Sequence, residues 1–486
     1  MPFTKTPASQ TYDTQRVSFI IPPQHRTGNN LDKDAKLENM LVEFYDSPDK
    51  KNSRTFVKSR PGLSAVYTQT AGVGRGIYYW VFNKVGYVIY IIGDKVYSNG
   101  ALVQTLTTTT GEVGFTEHVS SVGAVTLIML DGIKGYVFTN PTTAPTPIPT
   151  TGSFPTPHIP TPIFIDGYVF IAKDNSQDIY NCDLDDPLLW SAGSYTSAEM
   201  YPDKITCLSK NNNYLYAIGN NSVEYFYDAG NASGSPLQRH QSAVQQFGTV
   251  APATVVPTDI EVVMVGETAN GGHTVWAIEG FKGKEIGNPA IRSILRAEGA
   301  NLANARGHVV RVASQKLYII TLTNVTIVYS FDTGMWYEWT SGINGTIPFV
   351  GAHGTDGPNS KPYLLGNTDG KVFLMSEEYT SDDGTAFTCE IVTPIMDFDT
   401  FNMKTMSRLV LLGDTPASGT DNDVSIEWSD DDYNTWKGPR TLSFNNRFPT
   451  IAQLGGFRRR AFRIRYSKPY LFRLEMMEVD INKGAQ

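Results

Sequence analysis

The chain has 486 residues, enough for a large core and for more than one domain. Hydrophobic residues make up 41%, aromatics 12% and charged residues 18%, with 43 Gly and 28 Pro, which describes a folded, turn-rich, weakly charged all-β protein. A formal net charge of −8 argues against a general nucleic-acid binder held by phosphate neutralisation.

Residues 1–63 read as an N-terminal arm without a core of its own, expected to pack on a neighbour. IIPPQHRTGNN is turn-like and polar, LDKDAKLENMLVEFY suits one short helix or a strand, and SPDKKNSR is a charged loop. The arm ends in the turn Ser59-Arg60-Pro61-Gly62-Leu63. The start of the chain has no apolar stretch of signal-peptide length. The longest uninterrupted apolar run, Tyr87 to Ile92, falls far short of the roughly 20 residues that span a bilayer. A soluble protein with no membrane-spanning segment, not exported by a standard route, is expected.

From about residue 75 hairpins recur: 87–97, 125–138, 168–180, 214–227, 261–278, 316–331 and 362–375. In NYLYAIGNNSVEYFYDAG (213–230), two aromatic-rich runs flank a Gly219-Asn220-Asn221 turn, whose residues tolerate the positive φ of short turns. One residue in each second strand (Val96, Tyr136, Ile179, Val223, Val275, Ile327, Val372) gives intervals of 40, 43, 44, 52, 52 and 45 residues. A period of that length with room for four strands marks a β-propeller, against a β-sandwich series with accidental spacing. The fold class expected is all-β: an irregular β-propeller of about six blades (64–384), the N-terminal arm, and an additional C-terminal β-domain (385–486).

Two stretches interrupt the hairpins. Residues 141–162 hold eight prolines and seven threonines and cannot supply inner strands. They read as a semi-rigid connector, with an exposed docking strip as the other possibility. NPAIRSILRAEGANLANAR (288–306) is the clearest helix, with Asn288 as cap, Pro289 in the first turn, and Ile291, Ile294 and Leu295 as one apolar stripe.

In the C-terminal part, AFRIRY places Arg463 and Arg465 on one strand face and Phe462, Ile464 and Tyr466 on the other. With Arg458, Arg459, Arg460, Lys468 and Arg473, this is the one basic concentration in an acidic chain. It reads as a solvated strand face, as a dock for an acidic partner, or as lining of a DNA path. Under the docking reading, reversing Arg458, Arg459 and Arg460 to Glu abolishes assembly and leaves the monomer folded.

Catalytic and metal chemistry finds little support. Cys182, Cys207 and Cys389 are odd in number and far apart, against a disulfide framework and in keeping with assembly in a reducing cytosol. The seven histidines (His25, His118, His158, His240, His273, His308, His353) show no metal-ligand spacing, and no G-x-S-x-G elbow occurs. Ala71-Gly72-Val73-Gly74-Arg75-Gly76 lacks the Lys-Ser/Thr of a phosphate loop and reads as a turn. Asp183-Leu184-Asp185-Asp186 lacks the Gly and distal Glu of a calcium loop. Ser429-Asp430-Asp431-Asp432-Tyr433-Asn434-Thr435-Trp436 resembles the Asp box, S-x-D-x-G-x-T-W, of sialidase propellers, but Tyr433 stands at the Gly position and there is one copy. That motif is structural even in those enzymes, and a glycosidase needs a gathered carboxylate pair besides. No catalytic, cofactor or metal residue is assigned, and no cofactor is expected.

The order of elements carries a family resemblance. DPLLWSAGSYTSAEMYPDKI (186–205), SVEYFYDAG (222–230), QSAVQQFGTVAPATVV (241–256), VWAIEGFKGKEIGNPAIRSIL (275–295) and VYSFDTGMWYEW (328–339) follow one another as in the tail-nozzle proteins of short-tailed bacteriophages, also called packaged-DNA stabilisation or tail-hub proteins. ENMLVEFYDSPDKKNSRTFVKSRPGL (38–63) is similar to that family's start. The resemblance covers residues 38–340 well and the C-terminal domain loosely. It implies a non-enzymatic virion protein in a homohexameric ring, assembled in the host cytoplasm below the portal and head–tail adaptor. Such a ring continues the channel for viral double-stranded DNA, retains the packaged genome, carries tail fibres, a spike or a needle, and serves as conduit in ejection. The competing readings are a receptor-binding or glycan-degrading, sialidase-like tail β-propeller, and a cellular propeller scaffold.

Overall fold

A computed structural model describes residues 13–18, 35–45, 54–231, 233–268, 270, 272–343, 345, 347–414, 422–446 and 448–484. The turn-like stretch 20–30 and the charged loop 47–53 lie outside the described residues. The rest groups into two units. One comprises Met1–Gly62, Asp332–Ile347 and Glu377–Gln486, the other Leu63–Phe331 and Pro348–Ser376. The first boundary falls beside the Pro61-Gly62 turn. The linear division expected at residue 384 is replaced by a discontinuous one, because 332–347 and 377–384 group with the C-terminal residues.

In the larger unit each expected hairpin supplies two adjacent strands of an antiparallel sheet; among the described residues six of the hairpins lie in sheets of four or five strands, and the sixth in order, 316–331, lies in a ten-stranded sheet. The first runs Gly74–Phe82, Val85–Ile92, Lys95–Ser98 and Ala101–Thr105. The seventh pairs Gly351–Thr355, Tyr363–Gly366 and Lys371–Ser376 with Gly62–Thr68 from the far end of the chain, so an N-terminal strand completes the sheet. The seven hairpins thus build seven blade-like sheets, in keeping with the expected irregular propeller.

The apolar runs look continuous rather than alternating because each sheet is covered on both faces. In Val125–Leu130, Leu127 and Met129 pack with Ile89 and Ile91 of the first sheet. Ile128 and Leu130 face the other way, onto Val169 and Ile171 of the third. In Val85–Ile92 the residues between, Val88, Tyr90 and Ile92, meet Leu365 and Val372 of the seventh sheet. The first and last sheets are thereby joined, and the ring closes. Each such side chain taken from water contributes roughly 1.5–3 kcal/mol.

The first strand of each sheet lies innermost, and glycines let neighbours approach there. A Cβ on Gly74 would sit 2.4 Å from the Gly366 carbonyl oxygen, and one on Gly76 would sit 2.4 Å from that of Val113. The run 71–76 is therefore not a free turn. Its second half begins the inner strand Gly74–Phe82, and two of its glycines serve the seams on either side. Arg75 between them is 1% exposed. Its guanidinium donates to the carbonyls of Gly93, Thr108 and Gly111 and to Thr108 Oγ1 at 2.7–3.0 Å.

The Pro/Thr stretch leads from the second sheet to the third. Thr146–Pro147 forms the edge strand of the second sheet, and Ile148, Phe154 and Ile159 are buried. Phe154 meets Trp190 of the DPLLW segment edge-on at 5.2 Å. The helix forms as read: Pro289–Glu298, with Asn288 Oδ1 accepting from Ile291 N at 2.9 Å and Ala290, Ile291, Ile294 and Leu295 buried.

The other unit holds two sheets. One orders Met40–Tyr45, Arg54–Ser59, Arg473–Lys483, Lys404–Gly413 and Thr450–Phe457, with Asp13–Ser18 also on Arg473–Lys483. The other is part of the ten-stranded sheet and orders Trp336–Ser341, Lys36–Glu38, Cys389–Val392, Ala461–Tyr466, Asp423–Ser429 and Lys437–Ser443. The arm's strands thus build the same sheets as the C-terminal residues. Asn39, at φ +54° between two of those strands, is fully buried. Its amide donates to Thr340 Oγ1 and the Thr388 carbonyl, and its Oδ1 accepts from Arg60 Nε and Thr340 N, all at 2.7–2.9 Å.

Candidate functional site

The larger unit concentrates charge where inner strands begin. Glu112 precedes the inner strand Gly114–Val119 of the second sheet, Arg306 opens that of the sixth, and His353 lies in that of the seventh. Glu112 Oε1 accepts from Arg306 Nε at 2.7 Å, and Glu112 Oε2 lies 2.7 Å from His353 Nε2. Arg306 Nη1 also donates to Asn367 Oδ1 at 2.9 Å. Burial opposes the charge on Glu112, but His353 and Arg306 together outweigh it and hold the carboxyl down at about 2. The cluster thus ties the loop before the second sheet to the inner strands of the sixth and seventh. Beyond the same inner strands, Arg311 pairs with Asp356 at 3.0 Å and with Asp259.

Sequence reading missed this cluster, since its members are far apart in the chain. One signal was present: His308 and His353 are 45 residues apart, the interval that separates Ile327 and Val372 in the hairpins of the same two sheets. His308 is buried, and a Cβ on Gly354 would meet its ring at 2.3 Å. That histidine is packed, not presented.

The basic run of the smaller unit is consumed internally. Arg460 is 1% exposed, donates to Asp430 at 2.7 and 3.0 Å, and lies over the Phe457 ring at 4.2 Å. Arg463 pairs with Glu427 at 2.5 Å and covers the Trp436 ring; Arg465 pairs with Glu390 and Glu427. Arg459 pairs with Asp432, and Arg473 with Asp414 and Glu43. Phe462, Ile464 and Tyr466 fill the opposite, buried face, as the alternation required. The expected triple reversal that spares the fold is thereby corrected: a glutamate at 460 would be buried against Asp430. Across the same sheet Glu38 stands opposite both Glu338 and Glu390, with Lys36 at 2.7, 3.8 and 3.4 Å from the three carboxylates. Burial works against a charge on Lys36, yet the three carboxylates raise its affinity for its proton.

The Asp-box stretch is a turn. Asp431 accepts from Ser429 Oγ at 2.9 Å and from Thr435 N and Oγ1 at 2.8 and 2.5 Å. Those bonds hold its carboxyl below the usual range, the Thr435 hydroxyl foremost. Tyr433, at the motif's Gly position, takes φ +62° and spends its hydroxyl on the Thr393 carbonyl at 3.0 Å. The family-like segments are also structural. Trp190 Nε1 donates to Pro187 O, and Asp203 holds the 220–222 turn through Asn221 N and Ser222 Oγ. Cys182, Cys207 and Cys389 are buried free thiols, each pushed up by burial to about 12. Among the described residues no group of three or more His, Cys, Asp or Glu could hold a metal ion, and no helix is long and apolar enough to cross a membrane.

Residues 30–373 match the family model described as "Bacteriophage P22 Gp10, beta-propeller", a phage stabilisation family. The chain belongs to that family. It is a phage structural protein of the virion, and the resemblance read from its segments holds at the level of family. No curated protein sequence matches it. Similar solved structures include the Neurospora crassa Pan2 WD40 domain, at TM-score 0.42 and 10% identity over 65% of this chain and 96% of that one. Another is the Myceliophteria thermophila Cps50 (Swd1) β-propeller domain, at 0.40 and 10% over 64% and 99%. An exo-β-1,3-galactanase from Phanerochaete chrysosporium matches at 0.30 and 10% over 78% and 97%. The propeller assignment rests on the seven sheets and the family match.

Proposed function

We propose that this phage protein is the tail nozzle of a short-tailed phage. Six copies form a closed ring that extends the DNA channel below the head–tail adaptor, retains the packaged genome and anchors fibres, a spike or a needle. The family match over residues 30–373 carries this reading. In a closed ring of copies the conduit runs along the axis between subunits. A net charge of −8 suits that use, since a lumen rich in Lys and Arg would bind phosphates and stall sliding DNA. No catalytic step is part of the proposal. Electron microscopy of particles labelled with an antibody to this chain tests it. Label at the distal tail tube is the expected result, and label elsewhere overturns the assignment.

A further inference from the structure

One loop of the smaller unit is built against the grain of its own residues. Between Cys389–Val392 and Lys404–Gly413, Phe398 takes φ +51° and Asp399 φ +64°, left-handed conformations that strain residues other than glycine. Lys404, which closes the loop, is fully buried. Its ammonium donates to the carbonyls of Thr400 and Asn402, the second at 2.9 Å, and lies 5.6 Å from the centre of the Phe457 ring. Asp397 offsets part of that charge. Arg458, itself exposed, fixes the tip by donating to the Phe401 carbonyl at 2.8 Å. The outcome is Phe401 69% exposed and Met403 55% exposed, the reverse of what the hydrophobic effect favours. A strained backbone and a buried cation that hold an apolar pair in water mark a surface made to be covered.

The larger unit carries a second exposed apolar surface. The turn 120–123 of the second sheet holds Val122, 88% exposed, close to Val119. Ser121 N donates to Asp185 Oδ1 at 3.0 Å, which joins that turn to the loop between Asp178–Asn181 and Tyr195–Ser197 of the third sheet. In that loop Leu184 and Leu189 are each more than half exposed. Asp183, Asp185 and Asp186 stand among them, engaged with the neutral groups Ser191 Oγ, Ser121 N and Leu188 N. The patch is apolar with an acidic rim, and the Phe401–Met403 knob is apolar with an arginine beside it.

We propose that the knob of one copy seats on the Val122–Leu184 patch of the next copy in the ring. The inference rests on the ring proposed above. A closed ring of more than two identical copies is held by a heterologous contact, two different surfaces of one chain that fit each other. Knob and patch are such a pair, one on each unit, apolar against apolar, with Arg458 brought to the carboxylates of Asp183, Asp185 and Asp186. Apolar burial carries the affinity, and the opposite charges at the rim set the register.

The test is made on assembled particles that carry the full-length chain. With Phe401 replaced by benzoylphenylalanine, a photo-cross-linker, irradiation should give a dimer-sized band in which position 401 is joined to residues 119–123 or 183–190. Phe401→Asp and Val122→Lys change side chains that stand in water in the single chain, so both variants should fold. As the sole source of the chain, each should lower its content in particles about tenfold or more, since an apolar contact is lost and a charge is stranded. The double variant sets Asp against Lys across the contact and should recover most of that loss. Cross-links to other surfaces or to another protein overturn the contact, as does no cross-link at all or a double variant no better than the single ones. Electron microscopy of the same particles separates the two readings: a ring of this chain with any of those results sinks only the contact, and no ring sinks both.

Discussion

Arg60 is the residue whose loss the structure prices most clearly. It is 1% exposed, and its five N–H donors are all engaged. Nε donates to Asn39 Oδ1 at 2.9 Å, and Nη1 to Asp382 Oδ1 at 2.9 Å and the Pro61 carbonyl at 3.1 Å. Nη2 donates to Asp382 Oδ2 at 2.6 Å and the Thr340 carbonyl at 2.9 Å, and the guanidinium lies over the Phe387 ring at 3.8 Å. Arg60→Met keeps the stem's packing and strips these bonds, leaving the Asp382 carboxylate, 7% exposed, with Ser341 Oγ at 3.1 Å. Removing one partner of a buried pair costs about 3–5 kcal/mol. At 1.4 kcal/mol per decade, amide exchange in Lys36–Glu38, Met40–Tyr45 and Trp336–Ser341 should accelerate by roughly two to three and a half powers of ten. Hydrogen exchange read by mass spectrometry resolves those segments, where a global melt of a two-unit chain would blur them. Arg60→Met/Asp382→Leu, with no stranded charge, should recover at least about 1 kcal/mol relative to the sum of the two single changes. Exchange within tenfold of wild type in Arg60→Met, or strict additivity in the double variant, would refute the reasoning.

Five further outcomes are expected. Glu112 has a carboxyl lowered from 4.5 to about 2 in the folded state, so its contribution is complete above pH 4.5 and is lost as pH falls towards 2. Glu112→Gln should therefore lower stability at neutral pH and flatten that acid limb of a melting-temperature profile; an unchanged slope counts against the cluster. Gly76→Ala should cost about 1–3 kcal/mol in denaturant titrations, because the Val113 carbonyl cannot retreat while Val113 N bonds Arg75 O at 2.8 Å. Gly93→Ala, at φ +58° with nothing within 4 Å, should show only the strain of a left-handed residue, about 1–2 kcal/mol. Arg458→Glu, whose side chain donates to the Phe401 carbonyl at 2.8 Å, should stay within about 0.5 kcal/mol of wild type. Arg460→Glu should unfold the smaller unit by circular dichroism, and a folded variant would show that its pairing with Asp430 is dispensable.

What could be read in the sequence was local. The hairpins announce themselves because a middle strand covered on both faces is apolar throughout, as Val85–Ile92 and Val125–Leu130 are. The inner strands were harder. Arg306–Val312 reads RGHVVRV and carries its charges where the ring's centre needs them, so it lacks a core-like pattern. The arm misled for a related reason: Lys36–Glu38 finds its partners at Glu338 and Glu390, some 300 or more residues on, and Met40–Tyr45 pairs with Arg54–Ser59 across the charged loop. The basic run looked like an external surface because its acids, Glu390, Glu427 and Asp430, lie 30 or more residues away and cannot be matched to it by spacing.

These corrections bear on where the protein could meet its neighbours. Had Arg458 to Arg473 been a free cationic patch, electrostatic docking to an acidic partner would have been the economical account of assembly. With Arg460, Arg463 and Arg465 committed to acids of their own sheet, that attraction is largely cancelled before any partner arrives. Apolar side chains such as Val122, Phe401 and Phe448 stand exposed and offer contacts of another kind. Assembly carried by such surfaces should persist at high salt, whereas assembly carried by the arginines would weaken as salt screens it. Sedimentation of the assembled complex across a salt series separates the two accounts, and dissociation by added salt would restore the electrostatic one.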